Sequence, residues 1–239
     1  MLKVGNRAAA INDLRKIIDI GPQSDDLYVR TVKSITKGGF YNEGLAIINR
    51  LIAKNIKNAN LFVGRGIARQ NLGDINGAML DYNTALKLDT ASSDAYSNRG
   101  SAKLGLQDYE GALADVARAI KIHEGEAEPY LIRAKIRMAT KDYQGAVDDY
   151  NSVLFIDLDN NNIVFAQRGF ARSFLQDTER MHTDFAYALK YEPKNSEIFY
   201  LRAKAKINLK DITGACADFN QAISLGSKAA IEEAKRFCR

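Results

Sequence analysis

Cations recur along this chain at a spacing suited to electrostatic work. Arg65, Arg99, Arg133, Arg168 and Arg202 are each followed four residues later by a second cation: Arg69, Lys103, Arg137, Arg172 and Lys206. On a helix, residues i and i+4 share a face, so each pair makes one basic rung. A continuous basic stripe can track a phosphate backbone. Sixteen residues beyond each arginine, however, stands an aspartate: Asp81, Asp115, Asp149, Asp184 and Asp218. Two ladders of opposite sign and identical period predict ion pairs across neighbouring helices, where bidentate arginine forks fix register. On that reading the cations are structural, and nucleic acid is not an expected partner.

Other chemistry is sparse. His123 and His182 lack a Cys, Asp or Glu at a spacing typical of zinc sites. No glycine loop suited to cradling phosphate occurs, and no nucleophile–base grouping can be assembled. No catalytic residue, metal or cofactor is expected, so the chain does not read as an enzyme. Two cysteines, Cys216 and Cys238, are too few for a disulfide framework. A terminal helix folding back would bring their sulfurs together; a disulfide there would pin that helix and imply an oxidising compartment. Two buried thiols are the other reading, and the one the sequence slightly favours.

The elements that must position these residues are helical hairpins. The stretch Arg99 to Ala119, RGSAKLGLQDYEGALADVARA, reads as a helix, a tight turn at Leu106-Gln107-Asp108 and a returning helix. LGDINGA, LQDYEGA and TKDYQGA end 34 residues apart at Ala78, Ala112 and Ala146, and LKDITGA ends 69 further on, at Ala215. That is two periods plus one residue: the copy between, LQDTERM, ends at Met181, and the insertion falls in the Asp159–Asn162 loop. Upstream, GGFYNEG ends at Gly44 and a further copy at Ala10.

A 34-residue period with this pattern resembles the tetratricopeptide repeat, over nearly the whole chain. Position 4 is large (Tyr28, Phe62, Tyr96, Tyr130, Phe165, Phe199) and position 8 small (Gly66, Gly100, Ala134, Gly169, Ala203). Position 24 is Tyr82, Val116, Tyr150, Phe185 and Phe219, and position 27 is Ala85, Ala119, Val153, Ala188 and Ala222. Small residues let antiparallel helices approach, and large ones fill the gaps. Asp74, Asp108, Asp142, Asp177 and Asp211 suit N-caps of the second helices. The resemblance implies an all-α, right-handed alpha-alpha superhelical solenoid. Residues 1–24 would form a partial repeat (second helix only), residues 25–228 six repeats, and residues 229–239 a C-terminal capping helix.

Several features depart from the pattern. Ile11, Leu14, Ile17 and Ile18 give the first helix an apolar stripe with no cap, which suits a fragment of a longer chain, a covering partner, self-association into a homo-oligomer, or a frayed helix. Val32 and Gly44 exchange large for small in repeat one. Arg180 and Met181 replace Gly-Ala in repeat five, predicting a local change of helix spacing. The chain has no apolar run of about 20 residues for a membrane span. Its N-terminus has no apolar signal-peptide region, which suits the cytoplasm, or the periplasm or exterior if a leader has been removed.

The resemblance also implies a work surface: the groove lined by positions 2, 5, 9, 12 and 13 of the first helices. In repeats one and two these positions include Asp26, Lys33, Lys37, Asn60, Gln70 and Asn71, a polar surface. In repeats four to six they are Leu131, Lys135, Met138, Phe170, Phe174, Tyr200, Lys204, Ile207 and Asn208. Aromatics beside cations are candidate hot spots for a protein or peptide partner. The alternative is that Phe170 and Phe174 pack against a displaced neighbouring helix. The carboxylate clamp of heat-shock cochaperones needs Lys at position 5 and Asn at position 9. Position 5 here is Val29, Val63, Ser97, Leu131, Ala166 and Tyr200, and position 9 never carries Asn, so chaperone-tail binding is not expected.

Overall fold

The structure is a computed structural model that describes residues 38–54, 57–158 and 162–238. The expectations for the first helix, for Val32 and for the Asp159–Asn161 part of the inserted loop lie outside the described residues. Twelve helices and no strand are present among them: α1 (Tyr41–Ala53), α2 (Ala59–Asn71), α3 (Ile75–Leu88), α4 (Ser93–Gly105), α5 (Tyr109–Ile122), α6 (Ala127–Ala139), α7 (Tyr143–Ile156), α8 (Asn162–Phe174), α9 (Thr178–Tyr191), α10 (Ser196–Asn208), α11 (Ile212–Ser224) and α12 (Lys228–Phe237). Packing is by consecutive antiparallel pairs, α2 with α3 through α10 with α11, as in an all-α helical-repeat superhelix. None of these helices is long and apolar enough to cross a membrane. The chain divides into two compact units, residues 1–124 and 125–239.

One aspartate per hairpin both ends a helix and starts the next. The Asp108 backbone N–H donates to the Lys103 carbonyl at 2.9 Å, closing α4. Its carboxylate accepts from the Gly111 N–H at 2.9 Å, capping α5. Asp74, Asp142 and Asp211 do the same, at 2.9–3.0 Å to the N–H three residues on. The residue before each capping aspartate has positive φ, and it is glycine only at Gly73. Gln107, Lys141, Gln176 and Lys210 adopt it as non-glycines, each against a steric cost of about 1–2 kcal/mol. In repeat five, where Arg180 replaces the glycine, the cap lengthens to 3.4 Å and Asp177 instead takes Arg180 Nε at 2.7 Å.

Hairpins close where a glycine faces a large residue. A Cβ on Gly66 would lie 2.4 Å from the Tyr82 ring, and one on Gly100 2.8 Å from Val116. Tyr82 is fully buried and donates to Gln70 Oε1 at 2.9 Å; burial, then the neighbouring Asp81 charge, push its phenol above the ordinary tyrosine range.

The second unit is stacked unevenly. Between hairpins, α8 rests on α7, whereas α10 rests chiefly on α8 and only lightly on α9. The expected change of spacing within repeat five is not seen in its cross-helix pairing, since Arg168 meets Asp184 at 2.6 Å as elsewhere. It lies one junction later, between repeats five and six. Met181 is fully buried where other repeats bury an alanine, and neighbours must take up that added volume.

The last helix, one residue longer at its start than expected, is joined to α11 by a turn of the within-repeat kind. Gly226 has φ +92° and Ser227 caps α12 by accepting from the Ala230 N–H. α12 packs on α11 through Ala230, Ala234 and Phe237, and a disulfide joins Cys216 to Cys238, with 5.6 Å between their Cα atoms.

Candidate functional site

The two charge ladders meet inside every hairpin from α2/α3 to α10/α11. Asp149, 1% exposed, receives Arg133 Nη2 at 2.7 Å and Arg137 Nη1 at 2.8 Å on its two oxygens. Asp81, Asp115, Asp184 and Asp218 are equally enclosed and doubly paired. The second cation of each rung also donates to a carbonyl in the first turn of the facing helix, as Arg137 does to Gly145 at 2.9 Å and Lys103 to Gly111 at 3.2 Å. Each first-rung arginine lies 5.2–5.5 Å from the ring three residues before it: Phe62, Tyr96, Tyr130, Phe165 and Phe199. Three of them reach back to the preceding hairpin, Arg65 to Asn49, Arg99 to Asn83 and Arg168 to Asn151, at 2.7–3.1 Å. The aspartate hydrogen bond raises the pKa of Arg99, whereas burial lowers that of Arg172 despite the Asp184 charge. These cations are committed to the fold.

The predicted groove residues of the second unit fall into two groups. On α6, Lys135 is exposed while Leu131 and Met138 are half-buried against the core shared with α7–α9. Around the α8–α10 seam the structure gathers Phe170, Phe174, Tyr200, Lys204 and Asn208. Phe174 stacks flat on Tyr143, with ring centroids 4.1 Å apart and planes 6° from parallel. Phe170 meets Phe174 edge-on at 5.1 Å. Lys204 Nζ caps two rings at once, 5.1 Å from Phe170 and 5.4 Å from Tyr200. Beneath them Ser173, fully buried, donates to the Phe170 carbonyl at 2.7 Å and accepts from Asn208 Nδ2 at 2.9 Å. Ile207 lies apart from this group, packed with Tyr200 against the core that includes Phe219 and α12. Burial, then the charges of Glu233 and Glu197, raise the pKa of Tyr200.

Of the two readings the sequence left open for Phe170 and Phe174, packing against neighbouring helices is the one seen. Each keeps part of its ring at the surface. Tyr143 and Ser173 belong to this cluster and were not among the candidates. Tyr143 opens a second helix and so lies outside the first-helix positions that the repeat pattern assigns to the groove. Ser173 was reachable, since it occupies position 12 of its repeat. His123 caps the C-terminus of α5 and His182 is exposed on α9. No group of three or more His, Cys, Asp or Glu able to hold a metal occurs among the described residues.

Residues 196–225, spanning α10 and α11, match the family model of the tetratricopeptide repeat. A comparison with curated proteins gives no match. Among solved structures the chain is similar to a tetratricopeptide repeat protein from Parabacteroides merdae, at 21% identity and a TM-score of 0.69, over 98% of this chain and 92% of that one. It is similar to Pseudomonas aeruginosa pilF at 14% identity and a TM-score of 0.70, over 89% and 97% of the two chains. YrrB, described as a TPR protein with an unusual peptide-binding site, matches at 15% identity and a TM-score of 0.59, over 79% of this chain and 97% of that one. The match at residues 196–225 is to a single tetratricopeptide repeat, and the recurring 34-residue hairpin and the fold of these neighbours give the chain the architecture of a tetratricopeptide-type helical-repeat solenoid.

Proposed function

We propose that the chain is a protein–protein interaction scaffold, and that its second unit holds a peptide segment of a partner along α6, α8 and α10. The observation that carries this reading is the half-exposed cluster of Phe170, Phe174 and Tyr143 beneath Lys204. Rings already held by neighbours lose little entropy on contact, and an aromatic surface beside a cation is the composition of interface hot spots. Lys135 and Lys204 stand outside the aspartate ladder; Lys135 is exposed, and Lys204, though it caps the Phe170 and Tyr200 rings, is only half-buried, so both charges are available to a ligand. Tetratricopeptide folds generally serve as interaction scaffolds, and the structurally similar YrrB is described as having a peptide-binding site.

The test is binding of peptides selected from a displayed random library on the wild-type chain. Lys135→Glu/Lys204→Glu reverses both charges without emptying the core and is expected to weaken selected peptides about tenfold or more. Circular dichroism should register unchanged helix content. Peptides that bind this variant and Phe170→Ala as tightly as wild type would remove the proposal.

A further inference from the structure

We propose that the Cys216–Cys238 disulfide is a thiol-exchange site, and that its reduction by a dithiol releases α12 from α11. The argument begins with how little else holds α12. It has ten residues, below the about 12–15 at which an isolated helix is even marginal in water. Ala230 alone is fully buried; Ala234 and Phe237 are partly covered against Ala215, Phe219 and Ala222. Its other face is charged, with Lys235 paired to Glu232 within the same helix at 3.0 Å. Among the described residues no ion pair or side-chain hydrogen bond joins α12 to α11. The short turn at Leu225–Ser227 tethers only the start of α12; the crosslink, between residues 22 apart in sequence, fixes its far end and so adds the restraint that keeps so small a contact formed.

Access completes the case. Both cysteines are only half-buried, and Cys238 lies at the end of the helix, so an attacking thiolate can approach. In the exchange, the thiolate of a dithiol attacks one protein sulfur and expels the other as a thiolate. Its second thiol then resolves the mixed disulfide. The protein gains two electrons and two protons as two thiols, and the dithiol leaves as its disulfide. Because Tyr200 and Ile207 share the core on which α12 docks, release would also alter one edge of the candidate peptide face. That consequence rests on the proposed function; the measurement below does not.

The experiment is hydrogen exchange by mass spectrometry on the full chain, before and after dithiothreitol without denaturant, with alkylation to count thiols. Reduction is expected to add two alkyl groups and to speed exchange of residues 228–238 about tenfold or more. Exchange in α6–α9 should not change. The Cys216→Ser/Cys238→Ser variant should show the same fast α12 without reductant. If that variant fails to fold, the reduced wild type decides, with α6–α9 protection as its folding control. Three outcomes overturn the proposal: free thiols in the chain purified without reductant, a disulfide that yields only in denaturant, or a reduced α12 that exchanges as slowly as the oxidised one.

Discussion

Asp149 is held where water barely reaches it, and two guanidinium groups share its charge from the facing helix. Removing a carboxylate so placed leaves Arg133 and Arg137 without their common partner. Both arginines keep roughly a quarter of their side-chain surface in water, so they can turn outward and recover part of the loss. Asp149→Ala is therefore expected to destabilise the chain by about 2–4 kcal/mol, somewhat under the range for breaking a fully buried pair. Asp148, the preceding residue, is exposed and its carboxylate accepts from Gln144 at 3.0 Å, so Asp148→Ala should cost less than about 0.5 kcal/mol. Urea unfolding of the two variants checks the contrast, and equal midpoints would show that the ladder contributes nothing to stability.

A hairpin is decided by whether two helices can touch, and its glycines divide on that question. Gly66→Ala would place a methyl 2.4 Å from the Tyr82 ring, in a spot where neither backbone nor ring has room; overpacking of this kind costs about 1–3 kcal/mol. Gly105, at the exposed end of α4, has open space for 4 Å around the point a Cβ would occupy, and no positive φ. Gly105→Ala is thus expected to raise stability, by up to about 1 kcal/mol, through helix propensity and unfolded-chain entropy. Thermal melts of the pair should move in opposite directions. This contrast was half legible in sequence. Gly66 recurs as a small residue at position 8, so its role follows from the period. The Arg–Asp pairing was legible for the same reason, because one juxtaposition is repeated five times. What the period hides are contacts made once: Phe174 on Tyr143, Asn208 on Ser173, and the shift of α10 from α9 towards α8. These depend on how far one hairpin slides on the next, which side-chain volumes such as that of Met181 set together and no single position announces. The reach of Arg65, Arg99 and Arg168 to an asparagine of the hairpin before does recur, but it skips rungs whose equivalent residues are Ala117 and Ala186, so it makes a weaker pattern.

For the molecule as a whole, the cationic ladder poses the question of what a net charge of +5 is for. Ten cations, two on each of five aspartates, are paired within hairpins. A phosphate competing for them would have to displace buried carboxylates already at contact distance, and each displaced aspartate would be left charged and poorly solvated. A row of side chains that reads as a polyanion track is in this way expected to meet polyanions poorly, leaving cations outside the ladder, the exposed Lys135 among them, to do so. Binding to nucleic acid is governed by how many phosphates are neutralised, with log K falling by about 0.9 per contact for each decade of salt on duplex DNA. Fluorescence anisotropy with duplex DNA and single-stranded RNA is expected to give only weak association at about 0.15 M salt. The slope should correspond to no more than about three contacts. Asp115→Asn frees one rung, Arg99 with Lys103, and should steepen the slope if the pairing is what holds those cations back. Tight wild-type binding with a slope of five contacts or more would mean that the ladder opens to nucleic acid, and would favour a phosphate-binding surface over a peptide groove.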